Sequence, residues 1–247
     1  MAKFAKRWLC VVGQIAPNPC YVSVIFLNFC AMAIELYNED NMKLMARYPD
    51  KYFDIAIVDP PYGIDINNQS QGKGGGVAKK IDYTKYDWDK QAPDKAYFDE
   101  LMRVSKNQII WGANHFIEKI PINSSCWIVW DKENGETDFA DCELAWTSFK
   151  TAVRKFKWKW AGMLQQNMSN KQLRIHPTEK PIQLYQWLLK KYAKEGDLIL
   201  DTHLGSASIA IACHREKYSL VGCELVTEYY EKGLKRLQNE QAQTVLF

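Results

Sequence analysis

The sequence predicts an α/β fold in which a mostly parallel sheet is covered by helices on both faces. Three observations predict it. Short apolar, β-branched runs alternate with amphipathic helical stretches from residue 34 onward. Three of these runs deliver an acid at or just past their ends, Asp59, Asp201 and Glu224, and two of the acids open Pro- or Gly-containing turns. No internal repeat or heptad pattern competes with this reading. In such sheets ligands bind beyond the carboxyl ends of the strands, so the three acids mark the end where a site is expected.

Taken in order, Ile34–Tyr37 is a short apolar strand and residues 38–48 are a turn and helix. Asp54–Asp59 is apolar and β-branched between its acids, as a strand buried on both faces must be. Residues 64–92 are polar and rich in Gly and Lys, a length typical of functional or disordered insertions. A helix over Tyr97–Val104 precedes strands at Gln108–Trp111, Cys126–Trp130 and Leu144–Ser148. Pro181–Tyr192 is an amphipathic helix with Pro in its first turn. Asp197–Asp201 (strand), Ser206–His214 (helix), Tyr218–Cys223 (strand) and Thr227–Gln238 (helix) complete the chain.

The 247 residues, 47% hydrophobic and 25% charged, suit one core-bearing domain and argue against disorder. Seven cysteines without a CxxC pair and four histidines without ligand spacing predict no metal site and reduced thiols in a cytoplasmic protein. Lys3, Lys6 and Arg7 precede an apolar stretch like a secretion signal, but Pro17, Asn18 and Pro19 interrupt it. Residues 1–31 are therefore read as an extension outside the fold, and 32–247 as a single domain. No run is long enough to span a bilayer, so no membrane partner is expected.

Asp59-Pro60-Pro61-Tyr62 is the sharpest chemical signal. Two prolines stiffen the turn and remove two amide donors, which leaves acceptors, the Asp59 carboxylate and the Pro60 carbonyl, beside an aromatic ring. An exocyclic amine on a nucleobase offers two N–H donors in the plane of a flat π face, and this array matches it. Two acceptors also stabilise the positive charge that builds on the nitrogen as it attacks a methyl donor. At the other strand ends, Gly205 opens a helix where backbone approaches a ligand closely, and Glu224 is placed to accept ribose hydroxyls.

Asp59–Tyr62 resembles motif IV of the amino-methyltransferases, which methylate adenine N6 or cytosine N4 in DNA. Asp201–Ser206 resembles their cofactor motif, and His176-Pro177-Thr178-Glu179-Lys180-Pro181 the segment preceding it. Catalytic motif first, then a basic region, then the cofactor motif is the order of the family's β class. The resemblance covers roughly residues 34–240. It implies a circularly permuted Rossmann-like methyltransferase fold with a seven-stranded sheet. It also implies S-adenosylmethionine as cofactor, held by His176, Thr178, Lys180, Asp201, His203, Gly205, Ser206 and Glu224. One departure is that Thr202-His203 and Gly205-Ser206-Ala207 stand where the family has Pro-Phe and Gly-Ser-Gly.

From Lys150 to Lys180 eight Lys or Arg face one acid, interleaved with Phe149, Phe156, Trp158 and Trp160. Bases suit phosphates and rings suit unpaired bases, so residues 149–175 are read as a small target-recognition insertion. Arg154, Lys155, Lys157, Lys159, Lys171 and Arg174 are its DNA contacts, joined by Lys73, Lys79 and Lys80 in the Gly-rich loop. The competing reading is a strand pair whose rings face the core. The resemblance favours N6-adenine in DNA, because Asp at the motif's first position is the adenine form. N4-cytosine, RNA, a protein amide or an inactive DNA-binding relative are the alternatives, and a homodimer and a partner restriction endonuclease stay open.

Overall fold

The computed structural model describes residues 32–64, 89–120, 122–135, 140–161, 164–169, 171, 175–176 and 178–244. The proposed extension at 1–31, the Gly-rich loop with Lys73, Lys79 and Lys80, and Arg174 lie outside them.

Ten strands and five α-helices are described. The strands are β1 (Ile34–Tyr37), β2 (Phe53–Val58), β3 (Ser105–Trp111), β4 (Ile128–Asp131), β5 (Cys142–Thr147), β6 (Arg154–Lys157), β7 (Trp160–Ala161), β8 (Leu164–Gln165), β9 (Leu198–Asp201) and β10 (Ser219–Cys223). The helices are α1 (Asn41–Met45), α2 (Lys95–Val104), α3 (Ile182–Tyr192), α4 (Ser208–Glu216) and α5 (Thr227–Thr244). Eight strands form one sheet in the order β1-β10-β9-β2-β3-β5-β4-β6, and β7 and β8 form a separate hairpin. All pairings in the main sheet are parallel except those of β5, which runs against both β3 and β4. The sheet thus has one strand more than the seven expected, because the basic segment at 154–157 adds β6 as an edge.

Alternation along β2 explains the two-faced core. Ile55 and Ile57 join Ile109, Trp111, Ile199 and the apolar sides of α3 and α4 in one cluster. Ala56 and Val58 join Leu44, Met45, Phe98 and Leu101 in the other. A strand with successive side chains on opposite faces, both covered by helices, must be apolar where it is buried, as β2 is from Ile55 to Val58. Asp94 ends the long polar stretch by capping α2, its carboxylate accepting the Tyr97 N–H at 3.0 Å.

The rings of the basic segment face inward. Phe156 lies 6.2 Å from Trp158 in a stacked pair and 5.4 Å from Trp187 of α3. Trp160 is buried and its Nε1 donates to the Glu179 carbonyl at 2.8 Å. Trp160 is part of the core, and Phe149, Phe156 and Trp158 pack half-buried against it. Lys155 and Lys157 are exposed and reach Asp131 (3.5 Å) and Glu133 (2.9 Å). Arg154 opens β6 at the sheet end away from Asp59, on a cavity of about 320 Å³ shared with Phe149, Thr151, Lys191 and Tyr192. Lys171 is exposed.

The segment entering α3 is pinned by Glu179, whose side chain is fully buried. It pairs with Arg236 of α5 at 3.1 Å and accepts the Ile175 N–H at 3.0 Å. Arg236 also donates to the Ser206 carbonyl and Ser208 Oγ, each at 3.0 Å, tying α5 to the turn before α4. Removing one partner of a buried pair leaves an uncompensated charge, at roughly 3–5 kcal/mol. Arg236→Ala is therefore expected to lower the unfolding free energy by about 3 kcal/mol in urea titrations. A loss under about 1 kcal/mol would show that the pair is not structural.

Candidate active site

Parallel pairing places the ends of β2, β9, β10 and β1 side by side, and these ends carry the expected residues. Asp59 follows β2 directly, Asp201 ends β9 and Glu224 follows β10. The turn after β2 is fixed from a distance. Asp89 is buried, and its Oδ1 accepts the N–H groups of Tyr62 (2.8 Å) and Gly63 (3.1 Å).

Tyr62 lies against Gly112, which adopts φ 68°; a Cβ there would stand 2.0 Å from the Tyr62 Cε1. The exposed His115 ring stacks on Tyr62 with centroids 4.9 Å apart and an interplanar angle of 16°. The hydroxyl turns inward, 3.0 Å from Asp59 Oδ1 and 3.3 Å from Glu143 Oε2.

Lys180, buried at the start of α3, completes the cluster. Its ammonium is 2.5 Å from Asp59 Oδ2, 3.0 Å from Glu143 Oε2 and 3.2 Å from the Tyr62 hydroxyl. Lys132 holds the other Glu143 oxygen at 2.5 Å. Two cations and two carboxylates thus balance around one tyrosine. Burial pushes the Glu143 carboxyl up, but Lys180 and Lys132 outweigh it and hold it down at about 2. Burial favours loss of the Lys180 proton, yet Asp59 and Glu143 raise its pKa above the ordinary lysine value. For Asp59 burial wins and its carboxyl is raised, with Lys180 pulling it back. Lys180 was expected to meet the carboxylate of a cofactor; the structure seats it on Asp59.

The neighbouring ends have the opposite character. Asp201 is buried, its Oδ1 accepts the His203 N–H at 2.9 Å, and no Lys or Arg pairs with it among the described residues. Burial, reinforced by Asp59 and Glu224, raises its carboxyl to about 8. Glu224 accepts the Gly205 N–H and the Val226 N–H, each at 2.9 Å, and burial raises its carboxyl too. The Gly205 turn is longer than expected, because Ala207 adopts φ 56° and α4 begins only at Ser208. That helix start has no side-chain cap. Ser206 is buried, with its Oγ 3.0 Å from Ser208 Oγ.

His203 is tied to the fold on both nitrogens. Asn41 Nδ2 can only donate, so Nε2 accepts at 3.0 Å and the proton sits on Nδ1, 3.0 Å from Thr202 Oγ1. The Tyr97 hydroxyl meets the same Thr202 Oγ1 at 2.7 Å. His176 is buried edge-on to Tyr229, with its ring beside Gly205, and Thr178 Oγ1 lies 3.2 Å from its Nδ1. The expected residues 59–62, 176, 178, 180, 201, 203, 205, 206 and 224 therefore gather at one end of the sheet. Glu143, Lys132, Asp89, His115 and Gly112 are additional. Of these, Glu143 left a sequence signal, as an acid inside the otherwise apolar run Cys142–Trp146.

A family described as DNA methylase, of the N6/N4 kind, matches residues 129–235. Over that segment the chain is similar to this N6/N4 family. Its relatives include type II methyltransferase M2.DpnII of Streptococcus pneumoniae, 25% identical over 83% of this chain and 90% of its own length. M2.LlaDCHI of Lactococcus lactis subsp. cremoris is 25% identical over 82% and 88%. Among solved structures, the M1.HpyAVI–SAM complex shares the fold at TM-score 0.50, with 21% identity over 83% of this chain and 100% of that one. The cytosine-N4-specific PvuII DNA methyltransferase does so at 0.53, with 12% identity over 85% and 93%.

Gly112→Ala is expected to drive Tyr62 from its seat and abolish the family's methyl transfer. A circular dichroism spectrum and an activity assay check this, and a fully active variant would refute it. Burial and Lys180 depress the His176 pKa to about 3 against an ordinary value of 6.5. The unfolded chain then binds the extra proton, so this contribution is intact above pH 6.5 and declines as pH falls towards 3. His176→Gln should flatten the loss of unfolding free energy between pH 6.5 and 4.5. Equal slopes for parent and variant would contradict a neutral His176.

Proposed function

We propose that the protein transfers a methyl group from S-adenosylmethionine to the exocyclic N6 of adenine in DNA, at the site formed by Asp59, Tyr62, Asp201 and Glu224. The observation that carries the reading is the contrast between adjoining strand ends. An acceptor carboxylate beside an aromatic ring follows β2, and buried acids without a basic partner stand at β9 and β10.

The second pair fits the cofactor chemically. A molecule with a sulfonium, an ammonium and a ribose diol supplies the positive charge that Asp201 lacks and the hydroxyl donors that Glu224 can still accept. Glu224 keeps acceptor capacity because the main-chain N–H groups of Gly205, Val226 and Leu225 do not use all of its lone pairs. The uncapped start of α4 suits the cofactor's carboxylate. When bound, S-adenosylmethionine contributes an electrophilic methyl group. Everything else falls to the chain: Asp59 accepts from the amine and stabilises the positive charge on nitrogen, while the Pro60 carbonyl is the second acceptor. Tyr62 supports the base ring, and the cost of extruding the base, a few kcal/mol, is offset by these contacts.

Adenine is preferred to cytosine on the Asp-Pro-Pro-Tyr form of the motif. Lys155, Lys157, Lys159 and Lys171 are the described bases proposed to meet DNA, with Lys73, Lys79, Lys80 and Arg174 outside the described residues. Arg154, at the far end of the sheet, is not among them. Residues 1–31 are proposed to lie outside the catalytic domain. No helix among the described residues is long and apolar enough to cross a membrane.

Unmethylated genomic DNA incubated with tritiated S-adenosylmethionine and digested to nucleosides should carry its label in N6-methyladenine. Label in N4-methylcytosine would overturn the base assignment, and none would overturn the transferase. Asp59→Ala is expected to cut turnover by roughly 10²–10³ with cofactor affinity nearly unchanged. Glu224→Gln should raise the cofactor dissociation constant about tenfold by calorimetry, a loss near 1.4 kcal/mol. An unchanged constant would remove Glu224 from the site.

A further inference from the structure

Asp59 as found already serves a donor on each of its oxygens. Oδ2 holds Lys180 at 2.5 Å and Oδ1 holds the Tyr62 hydroxyl at 3.0 Å. An ammonium in this place opposes the reaction twice. It competes with the amine for the acceptor oxygen, and it repels the positive charge that develops on the attacking nitrogen. Lys180 cannot simply leave, because its side chain is 2% exposed and an unpaired buried ammonium costs several kcal/mol. A second carboxylate lies within reach. Glu143 Oε2 is 3.0 Å from the same nitrogen, and Lys132 at 2.5 Å anchors its other oxygen.

We propose that the Lys180 ammonium, which bridges Asp59 and Glu143 in the waiting site, shifts wholly onto its second seat at Glu143 once a nucleobase amine reaches Asp59, which makes Glu143 a positioning residue for methyl transfer. This rests on the acceptor role of Asp59 proposed above. The exchange conserves charge: a neutral amine takes the lysine's place on Oδ2, Lys180 stays protonated, and no charge enters or leaves the cluster. The Tyr62 hydroxyl lies between the two seats, 3.2 Å from the nitrogen and 3.3 Å from Glu143 Oε2, so Lys180 keeps that contact throughout the shift. Asp59 is more open than the lysine, 17% against 2%, which gives the amine an approach from the solvent side.

Glu143→Gln keeps the shape of the side chain and removes the charge that draws Lys180 away. Its kcat on unmethylated bacterial genomic DNA is expected to fall at least about tenfold, with the S-adenosylmethionine dissociation constant within about twofold of the parent. Glu143→Asp keeps the charge and is expected to stay within about threefold of the parent kcat, which also covers a Glu143→Gln chain that fails to fold. A folded Glu143→Gln with parental kcat, or a Glu143→Asp slowed as much as Glu143→Gln, would overturn the two-seat exchange. Parent protein that methylates no DNA would instead overturn the transferase reading itself.

Discussion

The site depends on a buried ammonium. Lys180 neutralises two carboxylates that the fold has taken out of water, and without it Asp59 and Glu143 would repel each other or take up protons. The cost of burying four charges is several kcal/mol per ion before pairing, so the geometry must be good and the supports rigid. That explains the effort spent on placing Lys180. Its neighbour Glu179 is locked to Arg236 and to the Ile175 amide, and the Glu179 carbonyl is held by Trp160. A shift of this segment would move the ammonium away from the acid it serves.

The two halves of the site solve opposite electrostatic problems. At β2 the acid already has a cation and must be freed of it at the right moment. At β9 and β10 the acids have main-chain donors alone, and burial raises both. An acid left without a cation is a standing cost in the empty fold and an attraction for a cationic ligand. The same sheet end therefore holds a self-satisfied cluster and an unsatisfied one, separated by the single β2–β9 pairing.

The sequence revealed the strands that end in the site because both their faces are buried and their composition is one-sided. Ile34–Tyr37 matches β1, and Asp54–Asp59 is displaced by one residue from β2. It did not reveal β6, because Arg-Lys-Phe-Lys at a sheet edge has a single inward ring and three bases, a pattern shared with a solvated loop or a DNA-binding strip. Trp158 and Trp160 misled for the same reason: composition cannot say which way a ring points. Asp59, Asp201 and Glu224 were legible from their places at strand ends. Asp89, Gly112 and His115 were not, since each acts on Tyr62 through contacts set by the tertiary fold.

The parallel join of β2 to β9 pairs Ile55 with Ile199 across 144 positions of chain. Closing so long a loop is slow, and its entropy must be spent before either strand gains the other's contacts. A ribosome-bound chain that has emerged only through β6 owns the acceptor acid but neither Lys180 nor the β9 turn. The acids at the ends of β2, β9 and β10 thus come together only when the last third of the polypeptide has threaded its strands into the middle of the sheet.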